Sequence, residues 1–190
     1  MSEDADDPDG APEGSFEDAD DPAAAFEQST ELPGANLRAM EFWDEVVADM
    51  EATAAEYEAD GWETLQLHPG DVTTRTPDGD DDRFGLDVLV PGDEFEAVED
   101  LLAGEVAFGS YEAFTAMADG LVLLVVAMED ATEQVAVLYP AYYDAEDASE
   151  MLEAAERAGE MRTYLRTLKN DRIEFTHEDP EPFAPPTSEE

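Results

Sequence analysis

The chain has 190 residues, 52 of them Asp or Glu against eight Lys or Arg, giving a formal charge of −44. Its 43% apolar content, periodically arranged, excludes a wholly disordered chain, and the lack of cysteine excludes disulfides, thiolate metal sites and a thiol nucleophile. Charge of this size opposes compaction in dilute buffer but is screened in molar salt, where the Debye length is about 3 Å, so the composition predicts a halophilic protein.

Residues 1–32 carry 12 of the acids and an identical repeat, Glu3-Asp4-Ala5-Asp6-Asp7-Pro8 and Glu17-Asp18-Ala19-Asp20-Asp21-Pro22. With few large apolar residues besides Phe16 and Phe26, this segment is expected to be a disordered acidic tail. A Pro-rich, extended tail is expected at 178–190, leaving a single domain at 33–177. That domain keeps 35 acidic and all eight basic residues, a net −27 spread over every predicted element. A nucleic-acid mimic would instead concentrate the charge on one face.

A first helix is predicted over 36–60, with Met40, Trp43, Val47, Met50, Ala54 and Tyr57 at spacings of three and four, Asn36 as its cap and Gly61 as its stop. Strands follow at 62–67, 71–76 and 84–90, the last with Phe84, Leu86, Val88 and Val90 alternating to one face. A second helix opens with Asp93 and Glu96 at capping-box spacing and ends at Gly104. Strands at 111–118 and 121–128 flank the hairpin signal Asp119-Gly120, and a four-residue turn at 129–132 leads to a strand at 133–142. The apolar run Leu121-Val122-Leu123-Leu124-Val125-Val126 predicts a central strand covered on both faces. A third helix over 145–158, capped by Asp144 and ended by Gly159, precedes strands at 161–168 and 172–177. The order α-βββ-α-βββ-α-ββ with short turns predicts an α+β fold: a mostly antiparallel sheet with three helices packed on it.

The stretches Trp43-Asp44-Glu45-Val46-Val47, Leu67-His68-Pro69-Gly70-Asp71-Val72, Gly85-Leu86-Asp87-Val88-Leu89-Val90-Pro91, Tyr139-Pro140-Ala141-Tyr142-Tyr143 and Thr176-His177-Glu178-Asp179-Pro180 resemble a family of uncharacterised haloarchaeal proteins. The resemblance covers residues 38–183. It implies a halophilic source and transfers no catalytic residue.

Two groups of residues are candidates for a site. Arg162, Arg166, Lys169 and Arg172 place four of the eight cations on the last hairpin, with Tyr164 on the same strand face as Arg162 and Arg166. Such a cationic and aromatic surface can receive a phosphate, a carboxylate or a base; the plainer alternative pairs these cations with Glu150, Glu153 and Glu156 of the third helix. The second group is His68, Asp71 and His177, which could hold a divalent metal for hydrolysis if the two imidazoles met. Alternation, however, puts His177 in phase with Ile173 and Phe175, towards the core. The loop at 78–82 has Asp at alternate positions but lacks the Gly and Glu of a calcium loop.

The leading expectation is therefore a non-enzymatic interaction or small-ligand-binding domain using the last hairpin, with a protein or a small anion as partner. The alternative is the hydrolase. No cofactor is expected. The longest apolar run, at 121–128, is far short of a span, no export signal is visible, and the acidic helices disfavour an anionic membrane, so a cytoplasmic location is expected. Nucleic acid is disfavoured, although acidity alone does not exclude it in a salt-adapted protein, and the oligomeric state is open.

Overall fold

The computed structural model describes residues 34–186, so the expected acidic tail at 1–32 lies outside the described residues. The helix α1 (Gly34–Ala59) leads to β1 (Glu63–Gln66), β2 (Asp71–Arg75) and β3 (Gly85–Leu89). After α2 (Gly92–Ala103) come β4 (Ser110–Ala118), β5 (Leu121–Asp130) and β6 (Val135–Asp144), then α3 (Ser149–Ala158), β7 (Glu160–Arg166) and β8 (Arg172–Glu178). The element order and the α+β class are those expected.

The strands divide between two sheets, in the orders β1-β6-β5-β4 and β2-β3-β7-β8, where the sequence suggested one. Hairpin pairings are antiparallel, but β1 runs parallel to β6 and β3 parallel to β7. Both parallel pairings join strands far apart in the chain, so no turn motif announces them.

The apolar run in β5 is explained by burial on both sides. On one face Val125 and Ala127, with Ala136 and Leu138 of β6, pack against Val46, Met50 and Ala54 of α1. On the other, Val122, Leu124, Val126 and Met128 share a core with Leu86, Val88, Met161 and Leu165 of the second sheet. Each such Val or Leu contributes about 1.5–3 kcal/mol when fully buried, which makes this two-sided strand the centre of stability. Helix α1 is aligned by Arg38, whose guanidinium donates to the Asp119 carbonyl (2.7 Å) and pairs with Asp144. The Asp119-Gly120 hairpin forms as expected, with φ of 53° and 80°, the left-handed pair of a type I′ turn.

Several local expectations are corrected. Asn36 lies inside α1, which begins at Gly34. The Asp93–Glu96 capping box does not form, since Pro91 precedes α2 with no side-chain cap. Asp144, committed to Arg38, accepts from the amides of Glu146 and Asp147 in a turn ahead of α3 and does not cap it. The turn after β5 falls later than predicted, because the Asp130 carboxylate gathers the amides of Ala107, Thr132 and Glu133. Finally, the segment after β8 is not simply extended. A short 3-10 turn, Glu181–Phe183, inserts Phe183 fully into the core against Tyr111 and His177, so the fold reaches beyond residue 177.

Candidate functional site

Among the described residues no helix covers the far side of the second sheet; charged side chains crowd it. Strand register arranges them in rows. Arg75 of β2 lies opposite Gly85 of β3, and Arg162 of β7 opposite Thr176 of β8. The next row runs Thr73, Asp87, Tyr164, Glu174, and the one after it Asp71, Leu89, Arg166, Arg172. The alternation that sends Leu86, Val88 and Leu165 inwards sends Asp87, Tyr164 and the arginines outwards.

Asp87 is the hub. Only 3% exposed, it accepts Nε of Arg75 at 2.9 Å on one oxygen and Nε of Arg166 on the other. A buried carboxylate is tolerated when ion pairs and hydrogen bonds replace its lost water. Because both arginines use Nε on Asp87, their terminal nitrogens are held only loosely. Arg75 Nη1 stands 3.9 Å from Asp81 and Arg166 Nη2 3.7 Å from Asp71, both too long for hydrogen bonds.

Arg162 is bridged to Glu160 (2.8 Å), more distantly to Glu174 (3.8 Å), and its guanidinium lies over the Phe84 ring. Arg83 forks onto Asp81 at 2.8 and 2.7 Å; these hydrogen bonds hold the Asp81 carboxyl well below the usual carboxylate range. Tyr164 lies beneath this layer, 1% exposed, with Arg75 over its ring at 5.7 Å. Its hydroxyl has no hydrogen-bond partner, and burial pushes its pKa up while the nearby Arg162 opposes that push. Arg162 thus stands close enough to the hydroxyl to hold back the rise in its pKa, though outside normal hydrogen-bond geometry.

The hairpin residues singled out from the sequence therefore do share a face. Arg162, Tyr164, Arg166 and Arg172 all point outwards from β7 and β8, and Lys169 lies in the connecting turn. Among the described residues Arg172 reaches only the Asn170 side chain, at 3.3 Å. Lys169 lines a 480 Å³ groove with Leu168, Thr167 and, from α2, Phe95, Glu96 and Glu99. The carboxylate partners of Arg162 and Arg166 come from β2, β3, β7 and β8, not from α3 as the plainer alternative had it; Glu153 of α3 faces Arg157 instead.

Arg75, Arg83 and Asp87 were missed. The available signal was Asp87 itself, one charge in the middle of the otherwise apolar strand Gly85-Leu86-Asp87-Val88-Leu89, which a buried strand tolerates only with a cationic partner.

The histidines occupy different settings. His68, half exposed, is held by Glu94 at the start of α2, which accepts its amide and meets its Nδ1, each at 2.7 Å. His177 is 4% exposed on the inner face of β8, against the rings of Tyr111 and Phe183. Its Nε2 meets the Thr163 hydroxyl at 3.0 Å, which meets the Tyr139 hydroxyl at 2.6 Å, so the three polar groups bridge the two sheets across the core. Burial pushes the imidazole down to about 4. Asp71 sits beside Arg166, and among the described residues no group of three or more His, Asp or Glu side chains could hold a metal ion. Asp78 and Asp81 of the acidic loop bond to each other through their backbones.

Residues 30–185 match a family of unknown function (DUF7529), and the chain belongs to that family. No curated protein and no solved structure matches the chain. Among the described residues, no helix is long and apolar enough to cross a membrane.

Proposed function

We propose that the domain is a non-enzymatic binding module working in salt-rich solution, and that its contact surface is the outer face of the second sheet with the β7–β8 turn. One observation carries this reading: six of the eight cations of a chain at −44, Arg75, Arg83, Arg162, Arg166, Lys169 and Arg172, lie on that face or its adjoining loops. Among the described residues only Arg38 and Arg157 stand elsewhere, so this face is the most favourable place for an anionic ligand or an acidic partner segment to land. The metal-assisted alternative has no comparable support, since His177 is enclosed by rings and His68 is engaged by Glu94.

Lys169 and Arg172 test the reading because neither forms an ion pair with a carboxylate among the described residues. The variant Lys169→Glu with Arg172→Glu should keep the melting temperature of the parent within a few degrees. Tagged parent and variant are recovered from a salt-rich cell extract, and co-purifying molecules are compared by mass spectrometry. A ligand or partner retained by the parent and lost by the variant is expected; identical recoveries would remove this face as the contact surface.

A further inference from the structure

Three features of the outer face converge on one spot. First, Gly85 lies between Arg75 and Arg162 in its row, so no side chain rises there; a Cβ at this position would meet the Arg162 carbonyl at 2.0 Å. Second, the terminal nitrogens of Arg75 are spare, because Asp87 takes Nε and Asp81 is 3.9 Å away. Third, the Tyr164 hydroxyl is buried with no well-formed hydrogen bond among the described residues, Arg162 interacting with it outside normal hydrogen-bond geometry and Arg75 and Arg83 within reach by charge. An unpaired buried hydroxyl costs about 1–3 kcal/mol, a cost expected where the group is kept for something that comes and goes.

We propose that Arg75, Arg162 and the Tyr164 hydroxyl, with Arg83 at the rim, form a binding site for an oxyanion of the phosphate class. The site gives a chemical identity to the contact surface proposed above, and so rests on that reading.

The chemistry favours phosphate over a carboxylate. The protein already supplies carboxylates to these guanidiniums, through Asp81, Glu160 and Glu174, each carrying a single charge. A phosphate brings up to two charges and three acceptor oxygens, enough to join the Arg75 fork, the Arg162 fork and the phenol hydroxyl at once. Arg75 and Arg162 are each about a quarter exposed, and their contacts of 3.9 Å to Asp81 and 3.8 Å to Glu174 are easily given up, whereas the ligand must share Arg162 with Glu160, which holds it at 2.8 Å. Turning those forks onto the ligand opens the path to the hydroxyl beneath. The displaced acids at the rim then discriminate against anions too weakly charged to compete.

The test titrates inorganic phosphate into the full chain at fixed ionic strength in KCl, with acetate as the carboxylate comparison, following heat and melting temperature. The parent should bind phosphate saturably and acetate at least tenfold more weakly. Tyr164→Phe should weaken phosphate binding by about ten- to a hundredfold, the worth of one hydrogen bond to a charged group. In phosphate-free KCl the same variant should melt no lower than the parent, because it loses an unpaired hydroxyl and keeps the ring. Arg75→Lys, which keeps the charge but loses the fork, should also weaken binding. The proposal is overturned by a parent with no saturable response, by acetate binding as tightly as phosphate, by a Tyr164→Phe or Arg75→Lys variant that binds like the parent, or by a Tyr164→Phe variant that melts lower without phosphate. None of these outcomes touches the recovery experiment on Lys169 and Arg172, so failure of the phosphate site and failure of the contact surface are separable.

Discussion

His177 shows how far the surroundings of a single residue decide its role. Histidine in a sequence invites a catalytic or metal-binding reading because its ordinary pKa is near neutrality. Here Tyr111 and Phe183 enclose the ring, Tyr111 itself being pushed up to about 12 by its own burial, and Thr163 meets the one nitrogen that faces the other sheet. The neutral imidazole is therefore the folded form down to about pH 4, while the unfolded chain takes up a proton near pH 6.5. Above the unfolded value the proton makes no difference. As the pH falls between the two, the unfolded state alone gains a proton, and stability drops by up to about 3 kcal/mol. His177→Gln lacks this titration. Urea melts of parent and variant at fixed high KCl should show a stability difference that shifts against the parent by about 2–3 kcal/mol on going from neutral pH to about pH 4. The many surface carboxylates titrate in both proteins and cancel. Parallel profiles would mean that the imidazole is not held neutral.

Among the elements, β3 joins the core to the candidate site, and Gly85 decides where it lies. Its φ of 133° belongs to backbone that L side chains rarely adopt, and the carbonyl of Arg162 occupies the place of a Cβ. Gly85→Ala must therefore strain the backbone and push β3 from β7, breaking the parallel pairing that sets Asp87 beside Tyr164. A loss of about 3 kcal/mol or more is expected in guanidinium melts, with Arg75 and Arg166 losing their common anchor at Asp87. A loss below about 1 kcal/mol would show that the close approach is not needed. The contrast between β3 and β5 also explains what the sequence revealed. Period-two alternation and the Asp119-Gly120 turn identified the strands and the local hairpins, and the phase of Arg162, Tyr164 and Arg166 placed them on one face. Pairing of β3 with β7 depends on contacts more than seventy residues apart, which leave no local trace. Arg75 and Arg83 could not be grouped with the last hairpin without that pairing. Phe183 was hidden for a different reason: proline-rich surroundings suggest extended chain, and only the packed pair Tyr111 and His177 gives its ring a surface to bury against.

On the scale of the whole molecule the cations are gathered on one face, among carboxylates that pair with them, and this turns composition into a measurable property. With six of eight basic residues on one side of the second sheet, the acids elsewhere have almost no positive neighbours; Glu45, Asp49 and Glu56 project along α1 with no ion pair among the described residues. Their repulsion is opposed mainly by salt. Screening shortens the Debye length from about 10 Å at 0.1 M to about 3 Å at 1 M, so most of the electrostatic relief should come over that range. The melting temperature of the parent should therefore climb steeply with KCl up to about 1 M. Replacing Glu45 and Glu56 by Gln and Asp49 by Asn should raise it in dilute buffer by several degrees and change it little in concentrated salt, so that the two curves converge. Parallel curves would place the salt response elsewhere than in these acids, and a parent most stable in dilute buffer would refute salt adaptation altogether. The outer face of the second sheet should respond in the opposite sense, because its arginine–carboxylate pairs are attractive and screening weakens them. Asp87, buried under two arginines, is shielded from that loss, whereas the exposed Arg83–Asp81 fork is not. High salt should thus loosen the rim of the candidate site while it tightens the rest of the fold, and the same screening should weaken the attraction of an incoming dianion to these arginines.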